Sequence, residues 1–358
     1  MKQKILKIIC VALTAALLFA GCSEKKQGGG VLKLQGGDTY VESVVKIGDR
    51  EVPFDLYRYW FLTFKASVEE SNPNIDWTKK ENVNSLKEQA LTQIKFNYAV
   101  RDIAEKYNVT LSEEQLLAIE ENIKASFEEA GSAQNFKEQL KASFLTYELY
   151  KELLIDNELY ATMSASLAGT DKEKNKIVFT SDEAVKGCNE DFYRLADIFF
   201  TVNVLDEDGN ELDKEQIEAN KAAAKVKIDK VYDKLKSGSD FLKLMKEQKT
   251  DEEYKNSFSG YYHAQTLSEL FGYDVKSLKI GEFSEPIFAN NSYMILYRME
   301  NDSEYIKENG VSIDGFNILT AEEYYAEKVF GEMVEKTSEE YKITELEFYD
   351  EINTKTLV

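Results

Sequence analysis

From Val44 to about residue 165 the apolar residues recur every three or four positions, and this helical spacing limits the fold more than any other property of the chain. Tyr57, Trp60, Phe61, Phe64 and Val68 mark one helical face, entered through Pro53. Leu86, Ala90, Ile94 and Tyr98 mark a second, Leu116, Ile119, Ile123 and Phe127 a third, and Phe136, Leu140, Phe144 and Tyr147 a fourth. Ser112 with Gln115 fits a capping box ahead of the third face. Before them, Val44-Val45-Lys46-Ile47 and Gly48-Asp49 read as a short strand and turn. No Gly-rich phosphate loop or repeat of fixed period interrupts the stretch, so a nearly all-helical domain is expected over 44–178.

The texture changes after the polar joint at Gly169 to Lys176. Thr180 with Glu183 caps a short helix reaching about Tyr193, and Leu195 to Val204 is strand-like. After the turn Asp208-Gly209-Asn210, a long helix carries Ile217, Ala224, Ile228, Val231 and Leu235. Asp240 caps a shorter helix with Phe241, Leu244 and Met245. Gly260-Tyr261-Tyr262 follows, then a short helix near Ser268 to Leu278 and two strands around Phe283–Ala289 and Tyr293–Met299. Thr320 with Glu323 caps a last amphipathic helix through Tyr325, Val329 and Met333 to about Tyr341. The predicted class is α+β.

Composition narrows the chemistry. The chain has 358 residues, 44 Lys and Arg against 65 Asp and Glu, and a formal charge of −21, a balance that disfavours nucleic acid as a partner. Only five of the cations are arginines (Arg50, Arg58, Arg101, Arg194, Arg298), which weakens any multi-Arg phosphate site. His263 is the sole histidine, so a His-rich metal centre and a Ser-His-Asp triad are disfavoured, and no metal or cofactor is expected. Asp206-Glu207-Asp208 lacks the spacing of a calcium loop and reads as a solvated turn. Glu113-Glu114 sits at a helix start, where it favours the dipole.

The first 22 residues supply an address. Lys2, Lys4 and Lys7 precede an apolar run from Ile8 to Ala20, the layout of a secretory signal and too short for a bilayer span of about 20 residues. Phe19-Ala20-Gly21-Cys22 resembles a bacterial lipobox, with Phe19 in place of the usual Leu. The expectation is a signal peptide over 1–21, a lipidated Cys22, and a flexible tether over 22–43 through Gly28-Gly29-Gly30 and Gly36-Gly37. A plain signal peptide cut near Ala20 and an uncut anchor are the alternatives. Acyl chains would then hold the acidic body on the membrane, since its surface charge is repelled by anionic lipid. Cys188 is the one interior cysteine left, so no intramolecular disulfide is expected.

Three stretches carry a family likeness: Lys230 to Gln248 (KVYDKLKSGSDFLKLMKEQ), Ser259 to Tyr262 (SGYY), and Leu278 to Glu300 with its Leu-x-x-Gly-Glu-x-Ser-x-Pro pattern. With the element order over 193–300, they resemble a parvulin-type peptidyl-prolyl isomerase domain. Residues 44–64 resemble the entry to the chaperone domain of PrsA-type and SurA-type foldases. The whole therefore resembles a PrsA-type foldase lipoprotein of a Gram-positive bacterium. The resemblance implies a parvulin-like domain over 190–300 with a small antiparallel sheet flanked by helices. It also implies that 301–358 returns a C-terminal helix, 320–341, to complete the helical chaperone domain.

In such domains an apolar cup holds the proline ring over a hydrogen-bonded histidine pair and a nearby Cys or Asp. Here the resemblance puts Asp197 and Met294 at the histidine positions and Phe258 at the Cys or Asp position. Leu267 and Phe271 match the apolar cup, although ordinary core packing explains them equally well. His263 falls where the family uses no residue, and it is expected on a surface loop without a catalytic role. The expected function is an extracytoplasmic, membrane-anchored foldase. Its partners would be unfolded or newly exported polypeptides, its isomerase activity would be mostly lost, and Leu267, Phe271 and Met294 would contact substrate. An active isomerase and a non-foldase scaffolding lipoprotein are the rivals. The oligomeric state is left open, a dimer being one option.

Overall fold

The computed structural model describes residues 28–206, 208–248, 254, 261–314 and 316–357. The expected leader, Cys22 and Phe258 lie outside the described residues. The chain divides into two compact units, one running through Leu167 and resuming at Val329, the other spanning Ala168–Lys328. Among the described residues there are eleven α-helices and several small, mostly antiparallel sheets, an α+β class as the sequence predicts.

The first unit opens with β1 (Gly30–Leu34) and β2 (Gly37–Val41), an antiparallel hairpin with Leu32 opposite Thr39. This corrects the expectation of a tether there. Leu32 and Val41 are buried in the core, while their neighbours Val31 and Tyr40 face out, the alternation of a half-buried strand. Gln35-Gly36 is the tight turn between them, and Gly37, at φ +118°, opens β2 opposite Leu34 rather than serving as linker. β3 (Val45–Ile47) and β4 (Arg50–Glu51) follow, with the short strand and the turn at Gly48-Asp49 where the sequence places them.

α1 (Phe54–Ser71) buries Phe54, Leu56, Tyr57, Tyr59, Trp60, Phe61, Leu62 and Phe64. Apolar residues on all its sides make it an interior helix. α2 (Lys80–Tyr107) packs on it through Leu86, Ala90, Ile94 and Tyr98 and stops at Asn108, whose left-handed backbone (φ +52°) caps the end. α3 (Glu113–Ala130) starts with the expected Ser112–Gln115 capping box and ends at Gly131 (φ +74°). α4 (Ala133–Ala142) and α5 (Tyr147–Ser166) complete the helices of this segment.

The second unit begins with the short parallel pair β5 (Ala168–Gly169) and β6 (Ile177–Val178). The Thr180–Glu183 box starts α6 (Ser181–Asp191), which buries Cys188. β7 (Phe192–Tyr193) and β8 (Leu195–Thr201) lead through the Asp213–Gln216 box into α7 (Lys214–Lys236), then α8 (Phe241–Gln248). β9 (Tyr262–His263) runs directly into α9 (Ala264–Phe271), which starts earlier than the sequence suggests and stops at Gly272 (φ +60°). β10 (Ile287–Ala289) and β11 (Ser292–Arg298) give an antiparallel sheet in the order β10-β11-β8. α10 (Ser303–Asn309), β12 (Val311–Ser312) and β13 (Ile318–Leu319) follow, giving a second sheet in the order β13-β12-β9-β7.

α11 (Ala321–Glu339) starts at the Thr320–Glu323 box and runs through the residue at which the two units divide. In the first unit its Phe330 packs 5.4 Å from Tyr160 of α5. β14 (Ile343–Glu345) then pairs with β3, and the tail buries Ile352 and Leu357 in the first unit's core. No described helix is long and apolar enough to cross a membrane.

Candidate functional site

The site is built on the alternation of β8 and β11. Their register pairs Phe199 with Met294, Ile198 with Ile295, Asp197 with Leu296 and Ala196 with Tyr297. Successive side chains point to opposite faces, so the strands sort their residues into two clusters. Ala196, Ile198 and Ile295 pack against Ile228, Val231 and Leu235 of α7 and Phe241, Leu244 and Met245 of α8. Met294 and Leu296 pack on the other side with Leu267 of α9, Val275 and Leu278, with Phe271 and Ile287 partly buried against them.

Four of the sequence-derived positions therefore belong to one side of the sheet. Leu267 and Met294 are each 5% exposed, and Phe271, at the end of α9, is half-buried. Asp197 is half-buried on the same side, opposite Leu296 and diagonal to Met294.

The Leu-x-x-Gly-Glu-x-Ser-x-Pro pattern serves the frame of this side. Gly281, at φ +84°, turns the chain, and its N–H donates to the Arg298 carbonyl at 2.8 Å. The Glu282 carboxylate accepts from the Lys279 N–H at 3.0 Å. Ser284 is buried; its N–H donates to the Leu296 carbonyl at 2.8 Å, and its Oγ accepts from the Leu296 N–H at 3.0 Å. A serine here brings its own acceptor to a strand edge that would otherwise lack one.

α9 is held by its ends and by two lateral bonds. Thr266 Oγ1 donates to the Ile313 carbonyl at 2.6 Å, and the Val275 N–H donates to Ser268 Oγ at 3.2 Å. His263 is not on a surface loop, which corrects the expectation: it is 7% exposed, at the start of α9, with Phe192 edge-on at 5.4 Å. The spacing Tyr262-His263-Ala264-Gln265 carries a signal for this placement only if the helix is known to begin at Ala264. Arg298, which the sequence does not single out for the site, is buried with its guanidinium 3.0 Å from the Tyr193 ring centroid; burial lowers its pKa, and Tyr193 opposes that.

Among the described residues no group of three or more His, Cys, Asp or Glu could hold a metal ion. A groove of about 200 Å³, lined by Phe200, Thr201, Asn203, Asn220 and Lys227, belongs to the α7 side and not to the Leu267 side. On the other side of the sheet Leu267 and Met294 are packed among apolar neighbours, with Asp197 half-buried on that same side.

Comparison with known proteins gives a family for part of the chain. Residues 206–300 match the model described as a rotamase, the PPIC-type PPIASE domain. Leu267, Phe271 and Met294 lie inside the match, while β8 and Asp197 precede it. Among solved structures, PrsA from Bacillus subtilis is 15% identical, covering 89% of this chain and 94% of its own, at a TM-score of 0.24. A peptidylprolyl isomerase (PrsA) from Bacillus cereus is 15% identical, covering 78% and 81%, at 0.29. The foldase protein PrsA from Streptococcus pneumoniae is 15% identical, covering 78% and 83%, at 0.21. The comparison with curated proteins gives no match. The parvulin-type likeness read from the sequence is borne out for this segment: the chain carries a PPIC-type peptidyl-prolyl isomerase domain over residues 206–300.

Proposed function

We propose that the protein is a membrane-anchored foldase outside the cytoplasm, whose parvulin-type domain grips proline-containing segments of exported polypeptides with little or no turnover. The observation that carries this reading is the apolar α9 side of the sheet, where Leu267, Phe271, Ile287 and Met294 gather beside Asp197. Twisting an amide costs about 18–20 kcal/mol, and catalysis requires tighter binding of the twisted form than of the planar one. Apolar contact with the proline ring holds both forms alike, which strengthens binding without raising kcat. A polar pair acting on the twisted amide would supply the difference, and the chain's single histidine cannot form a histidine pair.

In this reading the substrate-contacting residues are Leu267, Phe271 and Met294, Asp197 and Met294 stand at the family's histidine positions, and Cys22 bears the lipid anchor. The first-unit helices would serve as the chaperone domain for unfolded clients. An active isomerase is the second reading, favoured by the rotamase match itself.

A protease-coupled cis/trans assay on an Ala-Phe-Pro-Phe peptide, run beside fluorescence binding of the same peptide, separates the two. The proposal expects an exchange rate near the uncatalysed one, and binding that Phe271→Ala weakens about tenfold, the loss of one apolar anchor. A large rate enhancement that Phe271→Ala abolishes establishes the active isomerase instead. Failure of the chain at stoichiometric excess to suppress aggregation of an unfolded secreted protein favours the scaffolding rival. Mass spectrometry of the mature N-terminus tests acylation at Cys22.

A further inference from the structure

The geometry points to His263 as a positioning residue whose neutral imidazole caps α9 and whose protonation releases the helix that carries Leu267 and Phe271. The inference rests on the reading above that these two side chains hold client. His263 is the N-cap residue of α9, with φ −59° and ψ 130°, and its Nδ1 accepts from the Gln265 N–H at 3.3 Å. A ring nitrogen that accepts carries no proton, so the cap requires the tautomer protonated at Nε2. The imidazolium has no acceptor. Charging it removes the cap and puts a positive charge at a helix start, where the peptide dipoles already point their positive end. α9 has eight residues, too few to persist on propensity alone, so its ends matter.

The charges around the ring come from three elements. Asp191 at the end of α6 favours the imidazolium, while Lys276 and Lys328 of α11 oppose it. The Asp191 carboxylate is engaged by Lys328 Nζ at 2.6 Å and by Tyr324 Oη at 2.8 Å, which spends much of its attraction. Phe192 and Tyr324 supply aromatic walls at ring distances of 5.4 and 6.5 Å. Burial is the largest influence and lowers the pKa of His263 below its ordinary value, with the charges secondary to it. The folded chain therefore binds fewer protons at this site than the unfolded chain. The contribution to stability is complete above about pH 6.5, and it is lost as the pH falls below that toward the lower folded value.

His263 being the only histidine makes the test unambiguous. The full chain, without a histidine tag, is titrated by long-range ¹⁵N NMR of the imidazole. Hydrogen exchange of the 262–272 peptide is followed at pH 5 and 7.5 after correction for intrinsic rates. The expected result is the Nε2–H tautomer at pH 7.5, and exchange protection of 262–272 that falls about fivefold at pH 5, the worth of one N-cap. His263→Asn, which keeps a capping acceptor without titrating, is expected to hold protection constant across that range. His263→Ala is expected to lose it at both pH values. A proton on Nδ1 at pH 7.5, or equal protection at both pH values in the native chain, overturns the proposal. So does a pH response in His263→Asn equal to that of the native chain. Binding of the Ala-Phe-Pro-Phe peptide is measured alongside. If protection switches with pH and binding does not, the cap stands and the client-cup reading fails.

Discussion

Asp156→Asn probes how the first unit is held together. Asp156 of α5 has a side chain 9% exposed, and its two oxygens accept from Arg101 Nε and Nη2 of α2, each at 2.7 Å. Asn97 Nδ2 adds a longer bond to it at 3.4 Å, and Asn97 Oδ1 in turn accepts from Gln93. Burial alone would lower the pKa of Arg101, but Asp156 and Glu152 outweigh it and hold the guanidinium charged. Asparagine keeps the shape, removes the charge and offers one acceptor where the guanidinium needs two. Stripping one partner from a buried pair costs about 3–5 kcal/mol. Arg101 is 32% exposed and retains Glu152 at 2.6 Å, so the loss should fall at about 2–3 kcal/mol. That corresponds to a drop of roughly 5–10 °C in the melting temperature of this unit, read by calorimetry. Replacing both partners, Asp156→Leu with Arg101→Met, should recover most of the loss, because no buried charge is left stranded and the exposed Glu152 turns to water. A cost for Asp156→Asn below about 0.5 kcal/mol would refute the reasoning. A double variant as unstable as the sum of its singles would do the same.

Other perturbations test single features. Asp197→His combined with Met294→His places two imidazoles at diagonal positions of one sheet side, and should raise peptide exchange at least about tenfold over either single variant; no gain in a folded double variant removes the polar-pair argument. Gly310→Ala should cost more than about 1 kcal/mol and open the β12–β13 pairing, because Gly310 sits at φ +72° and a Cβ there would lie 2.2 Å from the Leu319 carbonyl oxygen; unchanged hydrogen exchange over 311–319 would contradict this. Burial, with Asp191 adding to it, pushes the Cys188 thiol up to about 12, so peptide mapping at pH 8 should find it inert to iodoacetamide in the folded chain and labelled in denaturant. Prompt labelling of the folded chain would show that Cys188 is not buried.

Local rules made much of the fold readable. Ser112–Gln115, Thr180–Glu183 and Thr320–Glu323 are capping boxes in sequence and in space, because a cap involves only residues three apart. The hairpin of β1 and β2 was not read, since its glycines suit a linker as well as a turn. What decides between them is the burial of Leu32 against residues far along the chain. His263 failed for the same reason. Its local neighbours suggest a loop, and only the packing of Phe192 and Tyr324 around it makes the ring interior. Four candidate positions named from the family likeness fall on one side of the sheet, whereas the bracing by Ser284 and the burial of Arg298 needed the register of β11.

The residues that identify the domain and the residues that would decide its chemistry are different residues. Gly281, Glu282 and Ser284 turn the chain and pair it to β11, so substituting them breaks the frame. Asp197 and Met294 hang from strands whose backbone bonds are indifferent to side-chain identity. Met294, in an apolar cluster, fills volume that an imidazole would have to fill while finding partners for two nitrogens. The frame can therefore persist under selection for folding while the chemistry on its surface changes. A match over the frame establishes the domain, and on the proposed reading turnover rests separately on positions 197 and 294.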